Sequence, residues 1–463
     1  MNFLKNSFAS KNILLIAGDM FLSFAAVYGG AFLRFSNNHD LLMREYASLP
    51  PKAAVFSIAV ILMVFFTDLY DAEPNDKKGI FSRIVIGNSL AFVALGTFYY
   101  FIPFVKIGRG ILFLSICLAI IVQTLWHIGY ALFLKLPAMS SKVLILGAGP
   151  VALTMGNLFA GNSRNNNGLK LAGYVNCTGE TIRVPRNNVI GESASLLEIA
   201  LNERVHKIIV SLSERRGSFP VRELLNCKLQ GIDIIEGPSF YEQITGKLLI
   251  ENMNPSHFIF SDGFRITALR RYVKRAADVI FSSAGLILSI PLFLILSIII
   301  KLDSKGPVLF RQKRVGEGER PFIIYKFRTM VEDAERDSGP VWSSKGDSRI
   351  TRVGRFLRKT RLDEIPQLFN VFSGDMSFIG PRPERPFFVE SLKKQIPYYS
   401  ERHCIKPGVT GWAQVKYQYG DSMEDAIEKL RYDLYYIKYQ SLLIDLLIVL
   451  STVKVIFFGR GGR

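Results

Sequence analysis

The chain has 463 residues, which is enough for several domains, and 49% of them are hydrophobic, including 35 phenylalanines. Its formal net charge of +18 lies on this apolar chain, which favours anionic lipid or phosphorylated substrates over nucleic acid as partners. The four cysteines form no CxxC pair, which argues against a zinc site and indicates free thiols in a reducing compartment.

Four apolar stretches come first, at roughly 12–33, 53–70, 84–105 and 110–134. A spanning helix needs about 20 mostly apolar residues, so they predict a four-helix transmembrane bundle over residues 1–138. Three polar residues lie inside these helices: Asp19, Gln123 and His127. They indicate either a functional site or hydrogen bonds between helices.

The orientation of this predicted bundle follows from the charges that come after it. The chain beyond the fourth stretch is very basic, which predicts a cytoplasmic C-terminal part. An even number of spans then places the N-terminus on the cytoplasmic side as well.

Residues 139–262 read as a Rossmann-like α/β domain. The run KVLILGAGPVALTMGNLF is a strand, a glycine-rich turn and a helix start. Gly147, Gly149 and Ala152 form GxGxxA, the phosphate-binding turn of dinucleotide folds. The second strand closes on Asn176, where an acid would bind the ribose hydroxyls. The domain therefore either binds a dinucleotide at Gly147 and Gly149, or is a scaffold that lost this ligand or binds another nucleotide.

The next apolar segment, 276–300, is long enough to span a membrane but has basic clusters on both sides. Pro291 removes a backbone hydrogen bond, and Ser289 can satisfy a freed carbonyl. We predict a helix, a break and a second helix that enters one leaflet and returns. The alternative is a plain kinked span.

The acidic pair Asp363-Glu364 lies in a strongly basic stretch that runs from Lys326 to Pro383. By itself the pair is a weak signal, because Thr360 three residues before Asp363 also fits a helix cap. The basic context indicates phosphate chemistry, in which carboxylates supply a nucleophile and a metal ligand.

Three cations stand out near the pair. Lys326 and Arg328 are two residues apart on one predicted strand face, a geometry that suits a diphosphate. Arg382 lies between two prolines on a rigid turn, and guanidinium groups suit phosphate oxygens. Interleaved phenylalanines leave nucleic-acid binding as a rival, but the acidic pair would repel a nucleic-acid backbone.

These residues resemble a known family, the large polyprenyl-phosphate sugar-1-phosphate transferases of bacterial surface-polysaccharide synthesis. The similarity covers residues 270–463 in detail. It includes GPVLFRQKRVG, KFRTM, LRKTRLDEIPQLFNVFSGDMSFIGPRP and KPGVTGWAQV. The N-terminal helices and the Rossmann-like domain also resemble the large members.

The resemblance implies a role for each matching residue. Asp363 would be the nucleophile that attacks the β-phosphate of a UDP-sugar and releases UMP, and Glu364 would bind Mg²⁺. Polyprenyl (undecaprenyl) phosphate would then accept the phosphosugar. The residues that would hold phosphates are Lys326, Arg328, Arg358 and Arg382. Ser289 and Pro291 would form the break of a re-entrant helix.

The resemblance also implies a whole architecture and a location. The chain would be a multi-domain membrane protein with the transmembrane bundle, the Rossmann-like domain, and an α/β catalytic domain over 263–463 that carries the re-entrant helix. It would lie in the bacterial inner membrane with this last domain on the cytoplasmic face, and it could form a homodimer.

A second enzyme class also places four helices before a Rossmann-like domain. A membrane-bound NAD-dependent nucleotide-sugar dehydratase or epimerase would need a Tyr-x-x-x-Lys pair, and none of the 18 tyrosines has lysine four residues later. A non-enzymatic anchor protein is a third class, and it would not need Asp363.

Overall fold

The computed structural model describes residues 7–71, 76–135, 141–160, 169–177, 179–212, 219–252, 263–265, 267–332, 347, 349–417, 420 and 422–458. The chain divides into two compact units, Met1–Thr245 and Gly246–Arg463. The three-domain division at residues 138 and 262 stays a prediction.

The first unit begins with four long apolar helices, as the sequence predicted. They are α1 (Ser7–Phe35), α2 (His39–Phe66), α3 (Lys77–Phe101) and α4 (Arg109–Lys135). Helices α1 and α3 each contact both α2 and α4, around a shared core that includes Val27, Phe56 and Ile84. All four are long and apolar enough to cross a membrane, which is typical of a multi-domain membrane protein.

The polar residues inside these helices meet one another. Nε2 of His127 lies 2.9 Å from Oδ2 of Asp19. Gln123, one turn before His127, donates to the Ser23 hydroxyl at 3.2 Å and accepts from Asn88 at 2.8 Å. All five side chains are buried. These contacts join α1, α3 and α4, so they support the interpretation that the polar residues form hydrogen bonds between helices.

A parallel sheet completes the first unit. Its strands are β1 (Ser141–Leu146), β2 (Leu169–Asn176), β3 (Val189–Glu192), β4 (Lys207–Val210) and β5 (Asp233–Glu236). Its helices are α5 (Pro150–Ala160), α6 (Leu196–Asn202), α7 (Val221–Leu229) and α8 (Gly237–Thr245). The strand order β3-β2-β1-β4-β5, parallel throughout, is that of a doubly wound fold, which confirms the predicted α/β region.

The second unit begins with one helix, α9 (Ala268–Asp303), which contains Pro291, and the predicted re-entrant course of this segment stays a prediction. The helix continues through Pro291, because a proline removes only one backbone hydrogen bond and neighbouring turns keep theirs. The hydroxyl of Ser289 donates to the Leu286 carbonyl at 3.0 Å, one residue before the carbonyl at Ile287 that Pro291 frees.

Helix α9 lies along the rest of its unit over most of its length. Near its start, Arg275 donates to the carbonyls of Val371 and Phe372 at 2.7 and 2.8 Å. Near its end, Leu296 and Ile300 pack in a core with residues of the strands and helices that follow. The opposite face exposes large apolar side chains, namely Ile280, Phe281, Ile287, Leu288, Leu294, Ile295, Ile298 and Leu302.

The remaining elements form a small α/β assembly. They are β6 (Leu309–Val315), β7 (Pro321–Phe327), α10 (Arg352–Thr360), a 3₁₀ turn (Leu362–Glu364), α11 (Gln367–Ser373), β8 (Ser377–Ile379), α12 (Pro386–Gln395), β9 (Gly408–Thr410), α13 (Trp412–Lys416), α14 (Met423–Tyr439) and α15 (Leu442–Phe458). Strands β6 and β7 are antiparallel, and β8 pairs with β9 in parallel.

Candidate active site

The acidic pair lies on a sharp turn between two helices. Helix α10 ends at Thr360, and Arg361 follows in the left-handed conformation with φ of 60°. Residues Leu362–Glu364 then form one 3₁₀ turn before α11 begins. This conformation is rare for a residue other than glycine. Arg361, not Thr360, precedes this 3₁₀ turn, and the Thr360 hydroxyl donates to the Phe356 carbonyl at 2.9 Å within α10. Thr360 therefore does not cap a helix that contains the acidic pair.

Glu364 is the centre of a cluster of cations. Its Oε1 accepts from Lys326 Nζ at 2.9 Å and from Arg382 Nη2 at 2.7 Å, and Arg361 Nη1 lies 4.0 Å away. Burial acts to raise the pKa of Glu364, but Arg382, Lys326 and Arg361 outweigh it and hold that pKa well below its usual range. Two of the predicted phosphate-binding residues, Lys326 and Arg382, are therefore brought to the acidic pair.

Asp363 has a different environment from Glu364, although the two residues are adjacent in sequence. Its side chain is 8% exposed, and among the residues that the structure describes its Oδ1 has no hydrogen-bond partner. Burial raises the pKa of Asp363, and the negative charge of Glu364 raises it further. Lys326, Arg382 and Arg361 act to lower this pKa, but the net shift is upward. A buried carboxylate oxygen without a donor is poorly solvated, and therefore more reactive as a nucleophile.

Helix α11 is locked to the strand that carries Lys326. Asn370 accepts from the Tyr325 amide at 3.0 Å and donates to the Ile323 carbonyl at 2.7 Å. One buried side chain thus completes the backbone hydrogen bonds of β7 on the side of α11. This contact holds the acidic pair, just before α11, opposite Lys326.

Arg328 lies at the end of helix α9. Its guanidinium donates to the carbonyls of Lys305 and Ser304 at 2.6 and 2.7 Å, and its side chain is buried. Ser304 is the C-cap residue of α9 and Lys305 follows it, so these bonds hold the chain where it leaves the helix. Strand β7 ends at Phe327, so the strand alternation that placed Arg328 beside Lys326 stops one residue short of it. The phosphate-binding role of Arg328 stays a prediction.

Arg358 lies on α10, where its Nε donates to the Thr329 hydroxyl at 2.9 Å. Nearby, Arg349 binds Asp347 through two nitrogens at 2.8 and 2.6 Å and lowers the pKa of Asp347 to about 2. The role of Arg358 toward a phosphate also stays a prediction.

The turn that carries Arg382 is fixed by residues that the sequence analysis did not assign. Arg402 donates to the main-chain carbonyl of Arg382 at 3.0 Å, to Asp433 at 2.8 Å and to the Tyr399 hydroxyl at 2.8 Å. Before the turn, a Cβ on Gly380 would collide with the carbonyl of Lys406, which explains the glycine there. The sequence offered one indication of these residues, because the segment that contains Asp433 lies within the resemblance to the transferase family.

A pocket of about 70 Å³ adjoins this turn. It is lined by charged, aromatic and amide side chains, including Arg382, Glu384, Tyr399, Gln414, Tyr417 and Lys429. Arg382 therefore lines this pocket and also contacts Glu364.

The residues present can be tested against the implied Mg²⁺. Within the described part of the chain, no group of three or more histidine, cysteine, aspartate or glutamate side chains could hold a metal. Mg²⁺ usually binds one or two carboxylates and completes its coordination with water and substrate phosphates. Glu364, the predicted ligand, fits that pattern through the carboxylate oxygen that does not accept from Lys326 and Arg382, and Asp363 adds an Oδ1 without a partner in the described structure.

The other predicted residues lie elsewhere. Gly147 and Gly149 form the turn between β1 and α5 in the first unit. Ser289 and Pro291 lie inside α9.

Comparison with known proteins places this chain among sugar transferases. Residues 269–459 match the family model described as bacterial sugar transferase. The chain is 41% identical over 242 residues to UDP-N-acetylgalactosamine-undecaprenyl-phosphate N-acetylgalactosaminephosphotransferase of Aeromonas hydrophila, covering 52% of this chain and 56% of that one. It therefore spans about half the length of that relative.

Two shorter relatives are covered more fully. The UDP-glucose:undecaprenyl-phosphate glucose-1-phosphate transferase of Caulobacter vibrioides is 44% identical over 184 residues, covering 39% of this chain and 68% of that one. The exopolysaccharide production protein PSS of Rhizobium leguminosarum is 40% identical over 189 residues, covering 39% of this chain and 93% of that one. The matched residues contain the whole cluster around Asp363 and Glu364, and the chain belongs to the bacterial sugar transferase family.

Proposed function

We propose that this protein transfers a sugar-1-phosphate from a UDP-sugar to undecaprenyl phosphate and releases UMP, as the first membrane step of a surface glycan. The observation that carries the proposal is the contrast between two adjacent carboxylates. Glu364 is neutralised by cations, whereas Asp363 keeps a buried oxygen without a partner in the described structure. The names of the relatives supply the substrate classes.

The reaction has two displacements at one phosphorus atom. A carboxylate oxygen of Asp363 attacks the β-phosphorus of the UDP-sugar, and the bond from that phosphorus to the bridging oxygen breaks. UMP leaves with the bonding electron pair, and the sugar phosphate stays on Asp363 as an acyl phosphate. An oxygen of undecaprenyl phosphate then attacks the same phosphorus, which frees the carboxylate and forms the lipid diphosphate sugar.

The cation cluster has a purpose in both steps. A carboxylate and a diphosphate repel each other, and Lys326, Arg361 and Arg382 lie where they can offset that repulsion. Asp363 and Glu364 would also hold Mg²⁺, which when bound neutralises charge on the transferred phosphoryl group. Arg328 and Arg358 would contribute at the edge of the site.

The experiment is an exchange reaction without the lipid acceptor. The purified protein, in nanodiscs of phospholipid free of undecaprenyl phosphate, is given Mg²⁺, radiolabelled UMP and either UDP-N-acetylgalactosamine or UDP-glucose. Label should pass into the UDP-sugar only if a phosphosugar intermediate forms and reverses. Asp363→Asn should abolish the exchange. The matched control, Asp375→Asn, changes an exposed aspartate beyond α11 and should retain it.

A direct transfer from donor to acceptor would give no exchange without undecaprenyl phosphate, and this result would exclude the covalent intermediate. Release of UDP instead of UMP would show cleavage at the sugar carbon, and the proposed reaction would be wrong.

We further propose that the N-terminal helices α1–α4 form a transmembrane bundle and that α9 enters one leaflet with both its ends on the cytoplasmic side of the inner membrane. Support comes from the contacts of α9 with its own unit at Arg275 near one end and at Ile300 near the other. Pro291 lies inside α9, and a proline can bend a helix enough to return both of its ends to one side of the membrane. Its exposed apolar face would contact lipid.

Single-cysteine labelling tests this arrangement. The four native cysteines are replaced, and a cysteine is placed at Arg271 or at Leu302. Both sites should react with a membrane-impermeant maleimide in inside-out vesicles and stay unreactive in intact cells. Labelling of one site from each side would establish a span and contradict the re-entrant proposal.

A further inference from the structure

The glycine-rich turn of the first unit is hydrogen-bonded to a carboxylate of its own chain. The middle residue, Ala148, donates its N–H to Oε2 of Glu180 at 2.8 Å. Its carbonyl accepts from the amides of Arg183 and Val184 at 2.7 and 3.3 Å. Ala148 is 0% exposed, and the glycines on either side are buried. Both polar main-chain groups of Ala148 are therefore used by the segment 180–184, which follows β2.

The turn lies where a nucleotide phosphate binds in doubly wound folds. It joins β1 to α5, and β1 lies between β2 and β4, where the strand order changes direction. A carboxylate oxygen accepts a backbone N–H much as a phosphate oxygen does. Helix α5 begins with Pro150, which has no N–H, so the first helical position offers no donor to a phosphate.

Two further polar atoms line the same edge of the sheet. Oδ1 of Asn176, at the end of β2, and the hydroxyl of Ser211, just after β4, have no hydrogen-bond partner among the described residues. Ser211 is 1% exposed, and its hydroxyl faces Gly237, where α8 begins. Unsatisfied buried polar atoms are costly, and they are expected where a ligand would complete their bonds. This edge of the sheet thus carries the unpaired polar atoms of a nucleotide site, while the glycine-rich turn beside it is occupied by Glu180.

We propose that Glu180 is an internal substitute for a nucleotide phosphate, and that the segment 180–184 closes the dinucleotide site of the Rossmann-like domain. With this segment in place, a phosphate at the turn would meet the Glu180 carboxylate at short range and be repelled. The domain therefore binds no dinucleotide in this conformation. A nucleotide binds only when the segment 180–184 leaves the turn.

The test uses the full chain in lipid nanodiscs and NADH as the probe. The wild-type protein should show no saturable increase of NADH fluorescence. Glu180→Ala should give a saturable increase, with a half-saturating concentration at least about tenfold below the highest NADH concentration tested on the wild type, because it removes both the occupant and the repulsive charge. Hydrogen exchange of the peptide that spans the turn should also become faster in this variant. Glu198→Ala, an exposed acid of the same unit, is the matched control and should change neither readout.

Three results would overturn the proposal. Wild-type protein that binds NADH, with weaker binding in Glu180→Ala, would make Glu180 a residue that holds the ligand. No change in either readout would show that the contact does not close the turn. Faster exchange without NADH binding would show that Glu180 stabilises the turn but does not replace a phosphate.

Discussion

Arg402 and Asp433 form an ion pair of 2.8 Å in which both side chains are about 5% exposed or less. The same guanidinium donates to the carbonyl of Arg382, whose side chain reaches Glu364. A buried pair of charges therefore supports the turn from which Arg382 enters the active site. The backbone contact makes Arg402 a positioning residue for the cation cluster.

Asp433→Asn should destabilise the protein strongly, by about 3–5 kcal/mol, because it leaves the Arg402 cation buried without a counter-charge. Thermal unfolding in nanodiscs measures the change. The control is Glu203→Gln, which breaks the pair of Glu203 with Lys142, where both side chains are more than 40% exposed. Exposed pairs contribute about 0–1 kcal/mol. Equal shifts in both variants would refute a special role for the buried pair.

Asp363→Asn should abolish transfer and also make the protein more stable at neutral pH. Burial and then Glu364 raise the folded-state pKa of Asp363 above its unfolded value, so stability is lost as pH rises through that raised pKa. A neutral asparagine escapes this loss. Each kcal/mol of relief corresponds to about 2–4 °C in the unfolding midpoint for a unit of this size. The gain should disappear at acid pH, and a gain that persists there would have another cause.

Two substitutions should move the acid limb of the pH–rate profile in opposite directions. The nucleophile must be deprotonated, and Glu364 raises the pKa of Asp363 while Lys326 lowers it. Glu364→Gln should therefore shift the acid limb of kcat/KM to lower pH, and Lys326→Met should shift it to higher pH. Both variants will be slower than wild type. Limbs that move in the same direction would mean that another group controls the profile.

Asp278→Ala should detach helix α9 from strand β8. Asp278 is buried and accepts from the Ser377 hydroxyl at 3.1 Å and from the Phe378 amide at 3.0 Å. Removing a buried acceptor of two hydrogen bonds should cost about 1–3 kcal/mol. Activity should fall as well, because β8 leads directly into the Arg382 turn. Among the described residues, the hydroxyl of Ser297 bonds only to the Phe293 carbonyl of its own helix, so Ser297→Ala should leave both quantities nearly unchanged.

The sequence was most informative where chemistry and spacing combined. The site residues are separated in sequence, yet the charge pattern and the family resemblance grouped the acidic pair with Lys326 and Arg382. In the structure, Lys326 and Arg382 both bind Glu364. The parallel α/β region was predictable because its strand and turn signals are local.

Pairings over long range were harder to predict. Nothing local indicates that Arg402 meets Asp433, because a charged residue in sequence does not reveal its partner across 31 positions.

The left-handed backbone at Arg361 puts two demands on one position. A glycine would adopt φ of 60° without strain, whereas any residue with a Cβ costs about 1–2 kcal/mol there. Yet glycine would remove one of the three cations around Glu364. Arg361→Gly would relieve the backbone strain at this position and weaken the electrostatic attraction of the site for a phosphate. The chain therefore keeps a small local strain as the cost of its third positive charge.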